Sequence, residues 1–272
     1  MSICFRPGLE RAFGTFPLKG EELISTFGEA YNVGYRAFDT AQMYENEADV
    51  GAAISRHAIK REELFITTKV HPDNYSSDRF LKSVEGSLEK LGLFRVDLLL
   101  LHWPDTSGDN RGILELLREA KREGLTEAIG VSNFTARMMK EAQALLDGEV
   151  VINQVEFHPL LDQTVLLEAS FESGVPLSSF SSVARGAVFR YPDFEQIGET
   201  YGKTAAQVVL RWILQKGVTI NTMSTKPENI KANFDVMDFV LSSVDMKRID
   251  AFTTTNYRCV DSSKVPWAPE WD

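Results

Sequence analysis

Cysteine, positive charge and long apolar runs are all scarce in this sequence, and each shortage excludes something. The only cysteines are Cys4 and Cys259, one near each end and without Cys-x-x-Cys or Cys/His ligand spacing. Neither a disulfide framework nor a metal site is therefore expected, and both thiols are read as reduced. Lysine and arginine number 29 against 39 aspartates and glutamates, a net charge of −10. That balance disfavours nucleic acid and anionic membranes as partners, because both demand a basic footprint. No apolar stretch approaches the roughly 20 residues of a membrane span, and the opening MSICFRPGLERAF lacks the apolar core of a secretion signal, so a cytoplasmic location is expected. Gly/Ser-rich linkers, low-complexity tracts, evident repeats and a GxGxxG run are also missing.

What is present is an ordinary globular composition, 43% hydrophobic and 25% charged over 272 residues, enough for a sizeable core in two small domains or one large one. Short apolar or β-branched runs fall at 12–15, 36–39, 64–67, 96–101, 128–131, 151–155, 176–180 and 218–222, each followed by a segment of helical spacing. One such segment carries Phe80, Leu81, Val84, Leu88 and Leu91 before Gly92; two others open on Thr135 and Thr204, with Gly148 and Gly217 behind them. Eight βα pairs predict an α/β fold of the (β/α)8 TIM-barrel type. A doubly wound open sheet is the alternative, disfavoured by the missing GxGxxG.

In a barrel the chemistry sits at the C-terminal strand ends. There the sequence offers Asp39, Lys69, His102, Ser132, Asn133, Gln154 and Ser224, with Tyr44 five residues past Asp39. Tyr44, Lys69, Asp39 and His102 suit proton donation to a forming alkoxide. A phenol ionises near 10, and an adjacent ammonium is expected to lower that value. Asp39 would keep Lys69 charged, and His102 would hydrogen-bond a substrate oxygen. Carbonyl reduction or its reverse is the implied reaction.

The segments GYRAFDTAQMYENEADVG (34–51), ITTK (66–69), LLLLHWP (98–104), GVSNF (130–134) and NQVEFHP (153–159) resemble the successive signatures of the aldo-keto reductases. The closing APEWD resembles the bacterial 2,5-diketo-D-gluconate and methylglyoxal reductase type within that family. The resemblance implies one barrel domain over residues 1–272, its tail from about 253 to 272 folded over the mouth. It implies an NAD(P)H-dependent oxidoreductase reducing small aldehydes or keto sugars, with Tyr44 as general acid, Asp39 and Lys69 tuning it and His102 orienting the carbonyl. Cofactor contacts are implied for Thr15, Ser132, Asn133, Gln154, Phe180, Ser181, Ser224, Thr225, Lys226, Asn229 and Asn233. Phe180 stands where the family usually has a tyrosine stacked on the nicotinamide. Pocket walls are implied for Phe16, His71, Trp103 and Trp267. Met223 and Asn229 replace the family's usual lysine and arginine for the adenosine 2′-phosphate, so NADPH is the favoured cofactor with NADH or dual use open. A monomer with a small-molecule carbonyl substrate is the family-based expectation.

Other residues draw plainer expectations. His57 is read as solvated on a helix face and His158 as part of a turn before Pro159. GETYGKT (198–204) is one residue short of a phosphate-binding loop, so Gly202 reads as a helix break and Thr204 as an N-cap. Residues 181–195 are read as loop, with Arg185 and Arg190 solvated. A cofactor-binding redox-sensing regulator on the same scaffold is the alternative function; a metal-dependent hydrolase trails it for want of ligands.

Overall fold

The computed structural model describes residues 8–272, so Cys4 lies outside the described residues. Eight strands, β1 (Arg11–Gly14), β2 (Ala37–Asp39), β3 (Phe65–Val70), β4 (Val96–Leu101), β5 (Thr126–Ser132), β6 (Val150–Glu156), β7 (Leu177–Phe180) and β8 (Thr219–Thr222), pair in chain order. Every pairing is parallel, and β8 closes on β1 through Arg11–Ile220 and Phe13–Thr222 partners, giving the expected TIM barrel. The intervening helices are α1 (Gly20–Val33), α2 (Glu47–Arg56), α3 (Phe80–Leu91), α4 (Arg111–Arg122), α5 (Ala136–Leu145) and α6 (Thr164–Ser173). Two helices, α7 (Pro192–Tyr201) and α8 (Ala205–Gln215), lie between β7 and β8, and α9 (Pro227–Phe234) and α10 (Ser243–Asp250) follow.

Side-chain size explains why the barrel closes. Ala37, Phe65, Leu98, Leu100, Ala128 and Ile152 point inward and form one buried cluster, large beside small. A second, larger cluster lies between strands and helices, where Phe27 and Phe38 stack at 3.8 Å. Each such fully buried side chain contributes about 1.5–3 kcal/mol. The stripe on α3 buries Phe80, Val84, Leu88 and Leu91 while Leu81 is half-buried, and Gly92 closes the helix at φ 66°.

Some boundaries shift. β3 continues through Lys69 to Val70 rather than ending at Thr67: all six residues are buried, Thr68 donating to Glu47 Oε1 at 2.6 Å and Lys69 to the Thr40 carbonyl at 3.0 Å. β5 starts earlier, at Thr126, and β6 runs on to Glu156. The expected loop 181–195 is wound as a kinked 3-10 segment over Ala184–Arg190, and α7 begins at Pro192, whose fixed φ suits a first helical position. Gly202 is the left-handed C-cap of α7, while Thr204 and Gln207 form a reciprocal capping box on α8. No helix among the described residues is long and apolar enough to cross a membrane.

Gly51 sits where α2 meets the end of α3, and a Cβ there would stand 2.6 Å from the Lys90 carbonyl oxygen and 2.8 Å from that of Leu91. Backbone cannot yield as a side chain can. Gly51→Ala is expected to lower unfolding free energy by about 1–3 kcal/mol in urea titration, despite alanine's better helix propensity.

Candidate active site

The tetrad is assembled from three adjacent strand ends and one turn. Asp39 closes β2, and its carbonyl accepts both the amide and the hydroxyl of Thr15 at 3.0 Å. Asn46 reaches back to the Leu18 carbonyl at 2.9 Å and accepts the Thr40 hydroxyl at 2.7 Å, binding the connection after β2 to the one after β1. Tyr44 ends a 3-10 turn over Gln42–Tyr44. Gln42 secures that turn: its amide donates to the Ser83 carbonyl and Ser87 hydroxyl on α3 at 3.0 Å, and its oxygen accepts the His71 amide and Asn74 Nδ2 at 2.9 Å.

Lys69 is fully buried and donates to Asp39 Oδ1, to the Thr40 carbonyl at 3.0 Å and to the Tyr44 hydroxyl at 3.3 Å. Asp39 Oδ2 accepts Gln154 Nε2 at 2.8 Å. Burial works to deprotonate Lys69, yet Asp39 and Tyr44 outweigh it and hold the ammonium above its usual range. The expectation for Tyr44 needs correction. Burial pushes the phenol above its ordinary value despite the pull of Lys69, with Asp39 adding to the rise. The tyrosine therefore rests fully protonated. His102, one residue past β4, is held well below the normal histidine range by burial, with the Lys69 and His71 charges adding to it, so its imidazole is neutral. Its ring meets that of Tyr44 edge-on at 5.5 Å.

These groups open into a cavity of about 730 Å³. Asp39, Tyr44 and His102 line it together with Ser132, Asn133 and Gln154. Phe180, Ser181 and Asn233 line one side, and Phe16, Trp103 and Trp267 the other; Phe16 lies 5.2 Å from the Tyr44 ring. Lys69 sits beneath the cavity floor. Thr15 is outside the lining, its hydroxyl already given to Asp39. His71 is also outside: its Nδ1 accepts the Asp73 amide at 3.0 Å and its ring abuts Trp267 at 5.1 Å. Ser224, Thr225 and Lys226, on the β8–α9 connection, and Asn229, in the first turn of α9, stand beyond the lining; Ser224 Oγ accepts the Lys226 amide at 3.2 Å. Met223 does line the cavity.

A nicotinamide fits the residues present. Asn133 occupies a left-handed backbone position, φ 62°, its Nδ2 donates to the His102 carbonyl at 2.9 Å, and its Oδ1 is buried without a partner, ready for a carboxamide N–H. Phe180 offers a ring face beside it.

Several residues were not foreseen. Arg185, exposed as expected, also lines the cavity from a left-handed position, φ 51°, and Lys264 and Asn221, which were not singled out, line it too. His158 opens a turn as expected, its carbonyl accepting the Leu161 amide at 3.1 Å, but its ring is fully buried, 2.8 Å from Glu156 Oε1. His57 is exposed as expected but caps α2, with Nε2 3.0 Å from the Ile24 carbonyl. Glu156, His158 and Cys259 gather ligand atoms within 4.8 Å of one another, which linear spacing could not reveal. Burial, with Glu156 beside it, pushes the Cys259 thiol up to about 12, so it stays neutral there.

Fold and site together define an oxidoreductase of the barrel class that reduces carbonyl groups with NAD(P)H. The chain belongs to the Aldo/keto reductase family, whose sequence profile matches residues 12–254. It is 40% identical over 263 residues to methylglyoxal reductase DkgB of Yersinia pestis, covering 95% of this chain and 97% of that one. A crystal structure assigned to a 2,5-diketo-D-gluconic acid reductase B is 39% identical with a TM-score of 0.93, covering 100% of this chain and 97% of that one. An aldo-keto reductase complexed with NADPH is 28% identical with a TM-score of 0.86, covering 93% and 86%.

Removing one member of the buried pair strands the other. Asp39→Asn is expected to lower unfolding stability by about 3–5 kcal/mol. Lys69→Met should cost a comparable amount, and the double variant should lose less than the sum of the two, in chemical denaturation at neutral pH.

Proposed function

We propose that the protein reduces small aldehydes or keto sugars, of the methylglyoxal or 2,5-diketo-D-gluconate kind, with Tyr44 as the proton donor. The observation that carries this reading is the Lys69 ammonium, which touches both the Asp39 carboxylate and the Tyr44 hydroxyl beneath the cavity. A bound nicotinamide supplies the hydride to the carbonyl carbon. His102, neutral, donates one hydrogen bond to the carbonyl oxygen and fixes its direction without competing for the proton transfer. Tyr44 gives its proton to that oxygen as negative charge develops, and the phenolate left behind is stabilised by Lys69 at 3.3 Å, an interaction worth more in this dry site than in water. Asp39 and Gln154 keep Lys69 aimed at the phenol. Asn133, Ser132 and Gln154 would hold the carboxamide, and Phe180 would offer its ring face to the nicotinamide without the hydroxyl a tyrosine would add.

NADPH is the favoured cofactor. Ser224, Thr225 and Lys226 would hold the 2′-phosphate, helped by the N-terminus of α9, while Met223 and Asn229 would contribute no charge. NADH use follows from that loss. The tail from about 253 to 272 completes a single functional domain that acts as a cytoplasmic monomer without nucleic-acid partners. A redox-sensing regulator finds no favouring observation.

Two measurements test this. Tyr44→Phe should reduce kcat for methylglyoxal and keto-sugar reduction by about 10²–10⁴-fold while preserving the fold, and near wild-type activity would remove Tyr44 from the mechanism. Catalytic efficiencies with NADPH and NADH should differ by less than about a hundredfold, near 2.7 kcal/mol, and a larger preference for NADPH would defeat dual use.

A further inference from the structure

Part of the cavity wall belongs to the C-terminal tail, through Val260, Lys264, Val265, Pro266 and Trp267. Past the 3-10 turn that ends at Thr255, residues 256–261 belong to no helix or strand, so another group must fix them. The fixing group is Glu156. Its Oε1 accepts the Cys259 amide at 2.5 Å and its Oε2 the Val260 amide at 2.9 Å. The side chain is 1% exposed, and the Glu156 carbonyl is engaged separately by Gln163 Nε2 at 2.7 Å.

We propose that Glu156 is a positioning residue for substrate: its carboxylate grips two consecutive tail amides and thereby sets the outer wall of the pocket. Burial works to neutralise this carboxyl, but His158 and the two amides outweigh it and keep it below the usual carboxylate range. Charge-assisted bonds to backbone N–H groups are roughly twice as strong as neutral ones. Nearby contacts extend the grip without replacing it. The Tyr257 amide donates to the Leu160 carbonyl at 2.7 Å, and Lys264 Nζ to the Cys259 carbonyl at 3.0 Å. The far end is held independently, where Asp272 Oδ2 accepts the Ala136 amide at the start of α5 at 2.7 Å.

Glu156 touches none of the tetrad. Tyr44 is secured by Gln42 and Lys69 by Asp39, so loosening the tail should weaken substrate capture and leave proton transfer alone. The backbone pairing of Glu156 with Phe180 on β7 does not depend on the carboxylate.

The experiment pairs steady-state kinetics with hydrogen–deuterium exchange on the full chain. In Glu156→Gln one amide must face an N–H donor instead of an oxygen, so exchange across 257–267 should accelerate. KM for methylglyoxal should rise about tenfold or more, with kcat within about threefold and NADPH affinity, read by fluorescence titration, unchanged. Glu156→Asp, which keeps the charge but withdraws it by one methylene, should give an intermediate rise and serves if the amide variant folds poorly. Unchanged exchange in both variants would overturn the grip; accelerated exchange with an unchanged KM would overturn its role in substrate binding. The inference rests on the substrate reading above only through the kinetic arm. If wild type reduces neither methylglyoxal nor the keto sugars, that reading fails and the exchange result alone decides the grip.

Discussion

A buried ion pair governs this molecule. Lys69 and Asp39 are both nearly inaccessible to water, and neither charge could persist there alone. Their mutual attraction, completed by Gln154 and the Thr40 carbonyl, keeps an ammonium under the cavity floor at neutral pH. Everything chemical follows from that charge. It meets the Tyr44 hydroxyl, contributes to keeping His102 neutral, and in the proposed mechanism would stabilise the phenolate that proton donation creates.

The barrel is what makes the pair possible. Asp39 and Lys69 lie on adjacent parallel strands and His102 directly follows the next, its amide bonded to the Val70 carbonyl at 3.2 Å, so backbone pairing sets the spacing of all three. Tyr44 is the exception, since it lies on a short turn. Gln42 answers this by spending all of its hydrogen-bonding capacity on α3 and the segment after β3, so the one catalytic group outside the sheet is nearly as fixed as those within it. The pocket's outer wall, in contrast, is irregular tail held at a few polar points. That division suits an enzyme whose chemistry is constant and whose substrate range is set by its rim.

Much of this was legible in the sequence. Strand periodicity, eightfold alternation and helix caps such as Thr204 are local signals with local causes, and the barrel and tetrad followed from them. What escaped depended on distant contacts. Lys69 looked like a residue beyond its strand because the run Thr67-Thr68-Lys69 is polar, yet the barrel wall buries all three. His158 does open the turn the sequence indicates, but its burial against Glu156 and the tail could not be read from that turn. The direction of the Tyr44 shift was misjudged because a sequence shows the neighbouring lysine and not the loss of water around the phenol. Arg185 and Lys264 reach the cavity by tertiary placement alone.

The central claim is that Tyr44, kept protonated by its buried setting above Lys69, is the acid. The pH dependence of kcat/KM for carbonyl reduction tests it most directly, in wild type beside Tyr44→Phe. Because burial raises the phenol above its ordinary value, activity should stay level through neutral pH and decline only in the alkaline range where a tyrosine loses its proton, and that limb should vanish in the variant. A decline centred near pH 6–7 that persists in Tyr44→Phe would contradict the account and hand the proton to a histidine.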